Sequence, residues 1–474
     1  MTEPWSRRRA LGVGGALAAG GLLAAATAGP ASAGSDPWRA ADAIRRRVRA
    51  PRFRRRDYPI TAFGAKGDGV TDCTRAFALA IGACTRLGGG RVVVPPGRYL
   101  TGPIRLRSHV DLHVSEGATI AFVTDPARYP NVYTRWQGIE CYNYSPLIYA
   151  FGERDIAITG TGTLDGQAGN GAWWPWKGST DYGWKPGDPE QSADWAVLQD
   201  LAERGVPVRD RVFGQGHYLR PNFIQPYRCR DVLIEGVTIL NSPMWEIHPV
   251  LSERVLVRKV TVVSHGPNND GCDPESCTDV VITGSTFDTG DDCIAIKSGR
   301  NADGRRVNAP SRNILVEGCE FRDGHGGVTI GSEMSGGVGQ VFARDLRMTS
   351  PNLNSCLRLK ANSMRGGYIR DVYMKNVEVG QLSVAALQID FYYDEGPGHP
   401  YNPAVGGIHI EGLHVGTTDY VLDMRGYPDD HITDVTLTHC RFDTATSPDI
   451  VENVDGLVLT DVTVNGSPAG AAVH

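Results

Sequence analysis

Long apolar runs are scarce in this chain of 474 residues: one lies near the N-terminus and nothing of membrane-spanning length follows it. A soluble body is therefore expected. Cysteines at metal-type Cys-x-x-Cys spacing are absent although the chain has 10 Cys, so no short cysteine metal cluster is expected. Whether Cys272 and Cys277, the nearest pair, are joined stays open. Positive charge is in deficit, with 48 Lys and Arg against 53 Asp and Glu and a net charge of -5, and no nucleic-acid partner is expected. The balance does not exclude a polyanionic substrate, because whole-chain charge governs solubility and long-range steering while a site needs only a few local cations. What is plentiful is glycine: 58 Gly with 41% hydrophobic residues argue against a helical bundle and for one large β domain or two ordinary ones.

The N-terminal run reads as an export signal over residues 1–33. Arg7, Arg8 and Arg9 precede a Gly-rich apolar stretch that closes on the small residues Ala31, Ser32 and Ala33, the pattern of twin-arginine export followed by cleavage. A membrane anchor is the alternative, disfavoured by the weak hydrophobicity and the cleavage pattern. The mature protein is thus expected to be secreted, unanchored and monomeric. Nine Arg lie between Arg39 and Arg56 without apolar periodicity, so residues 34–57 read as a solvated linker.

From residue 231 to 464 the segments DVLIEGVTI, RVLVRKVTV, DVVITGSTF, NILVEGCEF, DVYMKNVEV, DVTLTHCRF and GLVLTDVTV recur, mostly about 20 to 35 residues apart. Each alternates apolar residues over a short β-branched run and then turns at Gly, Asn or Asp. Such repeats suit an all-β solenoid, a right-handed single-stranded parallel β-helix over residues 58–474, whose coils stack to build one continuous core. Uneven insertions such as RNADGRRVNAPSR disfavour a propeller. A solenoid needs a lid, and TDCTRAFALAIGACTRLGGG supplies a capping helix, with Thr71 or Asp72 as N-cap and Gly88 as stop. The flanking ITAFGAKGDGVTD and RVVVPPGRYLTGPIRL resemble the first coil of the pectin-lyase-like superfamily.

Four coils align through their inward pairs: Cys272 and Pro274, Ile294 and Ile296, Val328 and Ile330, Leu357 and Leu359. With coils about 4.8 Å apart, one column then holds Asp270, Asp292 and Gly326, and Asp291 falls over His325. A regular strand would send Asp291 and Asp292 to opposite faces, so a turn or bulge is expected at Gly290. Outward columns hold Ala295, Thr329 and Arg358, then Lys297, Gly331 and Lys360. Grouped carboxylates with a His and fixed cations are what hydrolysis of an acidic glycoside needs, since one acid protonates the leaving oxygen and a carboxylate activates water. Crowded carboxylates also raise the pKa of at least one member.

GPNNDGCD, TGDDCIAIKSG, DGHGGVTIGSE and SCLRLKAN together resemble the four motifs of the polygalacturonases, glycoside hydrolase family 28. The resemblance implies an inverting enzyme without a metal cofactor, with Asp291 as general acid, Asp270 and Asp292 as the pair activating water, and His325 tuning the acid. It implies Arg358 and Lys360 on the sugar carboxylate, Asn268 as a substrate contact, and a Tyr one coil later, Tyr393 with Tyr392 as the close alternative. Asn269 in place of the usual Thr, and Leu359 in place of Ile, remove no catalytic group.

A segment at about 168–223 interrupts the repeat and holds Trp173, Trp174, Trp176, Trp184 and Trp195. It either walls one end of the groove and makes a terminal pocket or only covers the β-helix. The WEIHP, PNNDGCDPES and IGSE segments resemble bacterial exo-acting members, which makes Glu333 and His248 candidate contacts to the terminal sugar. The substrate implied is a pectic polysaccharide or oligogalacturonide. A rhamnogalacturonan-directed hydrolase, a Ca²⁺-dependent pectate lyase and a non-catalytic glycan-binding β-helix are the alternatives.

Overall fold

The computed structural model describes residues 36–469. The export-signal reading of residues 1–33 lies outside them. Nearly all ladders are parallel, and they gather into a 22-stranded sheet, a 6-stranded sheet and a 3-stranded sheet, with one separate antiparallel hairpin. The arrangement is the expected β-helix. One inward column runs Ile234, Val257, Ile282, Val316, Ala343, Met374, Ile410, Leu437 and Leu459, each residue paired in register with the next. Deleting a large member leaves a void between two neighbouring coils, which is why all the repeats but the one with Ala343 keep a β-branched or long apolar residue there.

The Asp, Asn and Gly that open the repeats have a backbone cause. Asp231, Arg254, Asp279, Asn313, Gln340, Asp371 and Asp434 all take left-handed φ between 54° and 59°, and Gly407 and Gly456 take the equivalent place at 68° and 72°. Every coil bends at this point, and short polar side chains or Gly tolerate that conformation best.

The N-terminal lid is present. Helix α2 (Thr74–Arg86) buries Ala76, Phe77, Ala80, Ile81 and Cys84 on the first coil. Asp72 Oδ1 accepts from Thr74 N at 2.9 Å, and the left-handed Gly88 follows its end.

The linker expectation for residues 34–57 is not met. Helix α1 (Trp38–Arg47) buries Trp38, Ala41 and Ile44, and with Val48 these cover an outward column of Ala157, Leu233, Leu256, Val281, Leu315 and Phe342. The spacing is helical, but it is diluted by arginines. Two of the helix arginines are ion-paired, Arg47 to Asp279 at 2.7 Å and Arg45 to Glu317 at 3.3 Å, and Arg344 reaches Asp42 of the helix at 3.0 Å. The compact unit accordingly begins at Pro37 and not at residue 58. All ten cysteines are buried free thiols, Cys272 and Cys277 included.

Two elements rise over the coils where the motifs gather. One is the hairpin of Asn131–Trp136 and Ile139–Tyr144. The other is the Trp-rich insertion, whose helix α3 (Ser192–Glu203) packs Leu198 and Ala202 with Trp136, Ile139, Met244 and Trp245. Among the described residues no helix is long and apolar enough to cross a membrane.

Candidate active site

The register read from the sequence is the register of the structure. Cys272 pairs with Ile294, Ile294 with Val328 and Val328 with Leu357, and Ala295, Thr329 and Arg358 stand side by side. Asp291 and Asp292 sit in the corner between Thr286–Thr289 and Ile294–Ile296, outside any regular strand. Gly290 makes that corner possible, because a Cβ there would stand 2.7 Å from the Gly266 carbonyl oxygen of the preceding coil. As a result one carboxylate oxygen each of Asp270, Asp291 and Asp292 lies within 4.8 Å of the other two.

The surroundings divide the three acids. Lys360 Nζ holds Asp292 Oδ2 at 2.6 Å, with Arg358 Nη1 3.6 Å from Oδ1. His325 Nδ1 meets Asp291 Oδ1 at 3.0 Å. Lys297 stands 3.5 Å from Asp270 and 3.2 Å from Glu333, while one oxygen of the buried Asp270 finds no hydrogen-bond donor. Burial, followed by the charge of Asp291, pushes Asp270 up from 3.8 to about 8. Burial also opposes ionisation of Asp291, but the hydrogen bond and charge of His325 hold it below its ordinary value. For Asp292 the burial cost is outweighed by Lys360, Arg358 and Lys297, which hold it far below. His325 is raised, first by its hydrogen bond to Asp291. Burial therefore favours the protonated form of Asp270, whereas His325 favours the ion of Asp291, the acid implied by the motifs.

Asp270, Asp291, Lys297, Lys360, Glu333 and Tyr393 line a cavity of about 260 Å³ with residues of the hairpin turn and the insertion, while Asp292, His325 and Arg358 adjoin these residues without lining it. Its chemistry is that of an acidic-sugar pocket, with cations for a carboxylate and an acid set for a glycosidic bond.

Comparison with known proteins agrees. Residues 214–421 match the model of glycosyl hydrolases family 28, and residues 59–118 match a rhamnogalacturonase A/epimerase, pectate lyase-like family. A hyperthermoactive exopolygalacturonase from Thermotoga maritima is 46% identical, with a TM-score of 0.89 over 92% of this chain and 99% of that one. The chain belongs to glycosyl hydrolases family 28. A probable polygalacturonase of Vitis vinifera is 28% identical over 80% of this chain and 73% of its own length. An exo-poly-alpha-D-galacturonosidase of Dickeya chrysanthemi is 28% identical over 73% of this chain but only 59% of its own length.

Within this family 28 glycoside hydrolase, most of the residues singled out from sequence converge. Asn268 lines the cavity and accepts from the buried Arg220 Nη2 at 2.8 Å. Tyr393 lines it as well, with Arg358 and Lys360 5.7 and 5.2 Å from its ring centre. Tyr392 is 42% exposed and turns to Tyr427 instead. Glu333 reaches the cavity but is held by Lys297 and by Arg300 at 3.1 Å. His248 is a correction. It is fully buried behind Trp245, whose ring lies 4.8 Å away, and it bonds Glu275 at 2.7 Å, so it supports the wall and does not touch the cavity.

Several cavity residues had no legible signal: Gln137 comes from the hairpin turn, Lys177 from the insertion, and Arg300 and Asp394 from connections outside the repeat. Asn269, noted only as a departure from the usual Thr, pins the first acid's turn. Its Oδ1 accepts from Ser264 Oγ at 2.6 Å and Gly266 N at 2.7 Å, and its amide donates to two carbonyls of the preceding coil. Both readings of the Trp-rich insertion hold in part. Trp173 is buried against Tyr129 and Tyr144, whereas Trp195 lines the cavity together with Trp245.

Proposed function

We propose that this enzyme removes galacturonic acid from the ends of α-1,4-linked pectic chains by hydrolysis with inversion. The observation that carries the reading is the trio Asp270, Asp291 and Asp292, gathered within 4.8 Å in a cation-bearing pocket walled by the hairpin and insertion. The names of the Thermotoga and Dickeya relatives support terminal cutting.

The chemistry starts from a shared proton. Before substrate binds, burial favours its place on Asp270, and the three carboxyls titrate as a set. An incoming uronate carboxylate pairs with Arg358 and Lys360, and the sugar excludes solvent beside Asp291, which raises the proton affinity of that carboxylate. The proton is then drawn to Asp291, the most accessible of the three, which passes it to the leaving oxygen. Asp270 and Asp292, both ionised, orient and deprotonate the water that attacks C1 from the opposite face. Inversion rests on family membership, because oxygens within 4.8 Å are closer than the roughly 6.5 to 9.5 Å of ordinary inverting pairs.

A time course on polygalacturonate tests this reading. Monomeric galacturonate alone from the first turnover supports it, early mixed oligomers reject terminal cutting, and an ultraviolet-absorbing unsaturated product would mean elimination. Proton NMR of the first-formed anomer tests inversion, and parallel assays on rhamnogalacturonan test the choice of backbone. Twin-arginine secretion is proposed on Arg7, Arg8, Arg9 and the Ala31-Ser32-Ala33 site, and lysines in place of the three arginines would retain the chain inside the cell. Sedimentation tests the expectation of a monomer.

A further inference from the structure

The hairpin that walls the pocket ends in a two-residue turn, Gln137 at φ 41° and Gly138 at φ 85°, the left-handed pair that closes a tight hairpin. Its tip is docked closely. A Cβ on Gly138 would stand 2.8 Å from Arg300 and 2.9 Å from Glu333, and Arg300 N donates to the Gly138 carbonyl at 3.1 Å. Gln137 then lines the cavity.

The strand leading to that tip is fastened from beneath by fully buried groups. Arg135 Nη1 donates to Glu275 Oε1 at 3.0 Å, and Glu275 Oε2 meets His248 Nε2 at 2.7 Å. The other ring nitrogen, His248 Nδ1, faces the side-chain amides of Asn222 at 2.8 Å and Gln225 at 3.0 Å. Two amide donors on Nδ1 leave it without a proton, so the hydrogen lies on Nε2 and is given to Glu275. Gln225 also accepts from Thr134 Oγ1 of the same strand at 2.6 Å. The His248 ring meets Trp245 edge to face, and Trp245 is itself a wall of the cavity.

We infer that His248, Glu275 and Arg135 form a buried clasp that joins the Trp245 wall to the closing hairpin and so restricts this enzyme to chain ends. The inference rests on the terminal-cutting reading above. His248 is a positioning residue: it acts on the sugar through Trp245 and the hairpin. Without Glu275 the strand that leads to Gln137 loses the short ion pair that holds it down and Arg135 keeps only Glu140 at 3.8 Å; without His248, Glu275 loses the bond that aims it at Arg135; either way the pocket opens into a groove that a chain interior can cross.

The test compares wild type with His248→Leu, Glu275→Gln and the conservative His248→Gln, whose amide can donate to Glu275 and accept from Asn222 or Gln225. Substrates are polygalacturonate and polygalacturonate whose non-reducing ends carry a 4,5-unsaturated residue. His248→Leu and Glu275→Gln, which sets a donor against the His248 Nε2–H, should release mixed oligomers and cut the end-blocked polymer. Both should lose up to roughly 100-fold in kcat/KM on short oligogalacturonides, the scale set by an ångström of misplacement. His248→Gln should keep the monomer-only pattern. Strictly terminal cutting with wild-type KM in His248→Leu, accompanied only by a lower thermal midpoint, overturns the clasp. Mixed oligomers from wild type would overturn terminal cutting itself, a separate result. Should the variants not fold, hydrogen exchange on wild type decides: amides of residues 131–144 protected like the coil strands support the clasp, and exchange at the rate of exposed loops refutes it.

Discussion

Replacing Asp270 by Asn should make the protein more stable while abolishing its activity. Burial and the charge of Asp291 lift this carboxyl from 3.8 to about 8, so from about pH 4 upward the unfolded chain has released a proton that the folded chain still holds. Folding then takes up a proton, and wild-type stability falls as pH rises through this window until the carboxyl ionises near 8, above which the loss is constant. At pH 7 the interval above the ordinary value amounts to at most about 4 kcal/mol, from roughly 1.4 kcal/mol per pH unit. Asn is neutral in both states and escapes this cost, and its amide has the carboxylates of Asp291 and Asp292 within reach. With an unfolding entropy of roughly 0.9 kcal/mol per kelvin for a unit of this length, the midpoint should rise by about 4 °C. Thermal scans of both proteins between pH 4 and 9 give the measurement. A gain that does not grow between pH 4 and 8, or a variant less stable than wild type at pH 8, would refute the assignment of the buried proton.

Other consequences are simpler to state. Asp291→Asn should lower kcat by roughly 1,000-fold, within the range for a lost general acid, while calorimetry still detects oligogalacturonide binding; unchanged turnover removes Asp291 from the chemistry. Chelators should leave the rate unchanged, because Lys360 already pairs with Asp292 and a protonated Asp270 offers a cation no charge, and a rate restored only by added Ca²⁺ would contradict this. Trp38→Ala should cost about 3 kcal/mol, since it strips the anchor of helix α1 from Phe342; an unchanged denaturation midpoint would mean that the helix is dispensable.

The coils were legible because a solenoid writes its geometry locally. Each repeat must put apolar residues inward at alternate positions and bend at one left-handed point, so the column from Ile234 to Leu459 and the Asp, Asn and Gly of the bend both leave a regular mark. The acid trio followed from the same register, since neighbouring coils convert sequence offsets into contacts. Helix α1 was missed for the opposite reason. Its apolar residues Trp38, Ala41 and Ile44, with Val48 just after them, are few, and nine arginines around them resemble a wet charge run until Asp279 and Glu317 are seen across the surface as partners of Arg47 and Arg45.

His248 shows what a register alone does not determine. Its position beside Trp245 in WEIHP places it one coil before Asp270, but depth within a coil depends on which groups cover it, and here the hairpin and insertion do. The same cover decides the state of the acids. Lys360 and Arg358 arrive from a later coil and favour the ion of Asp292, His325 favours that of Asp291, and Asp270, buried beside Asp291, has Lys297 and then Lys360 against it. Three chemically identical side chains are thus pushed in different directions, Asp270 towards its neutral form and Asp291 and Asp292 towards their ions, by neighbours that come from different coils. That division sets which of them holds the proton before substrate arrives, and it rests on the packing around the trio more than on the motif that contains each residue.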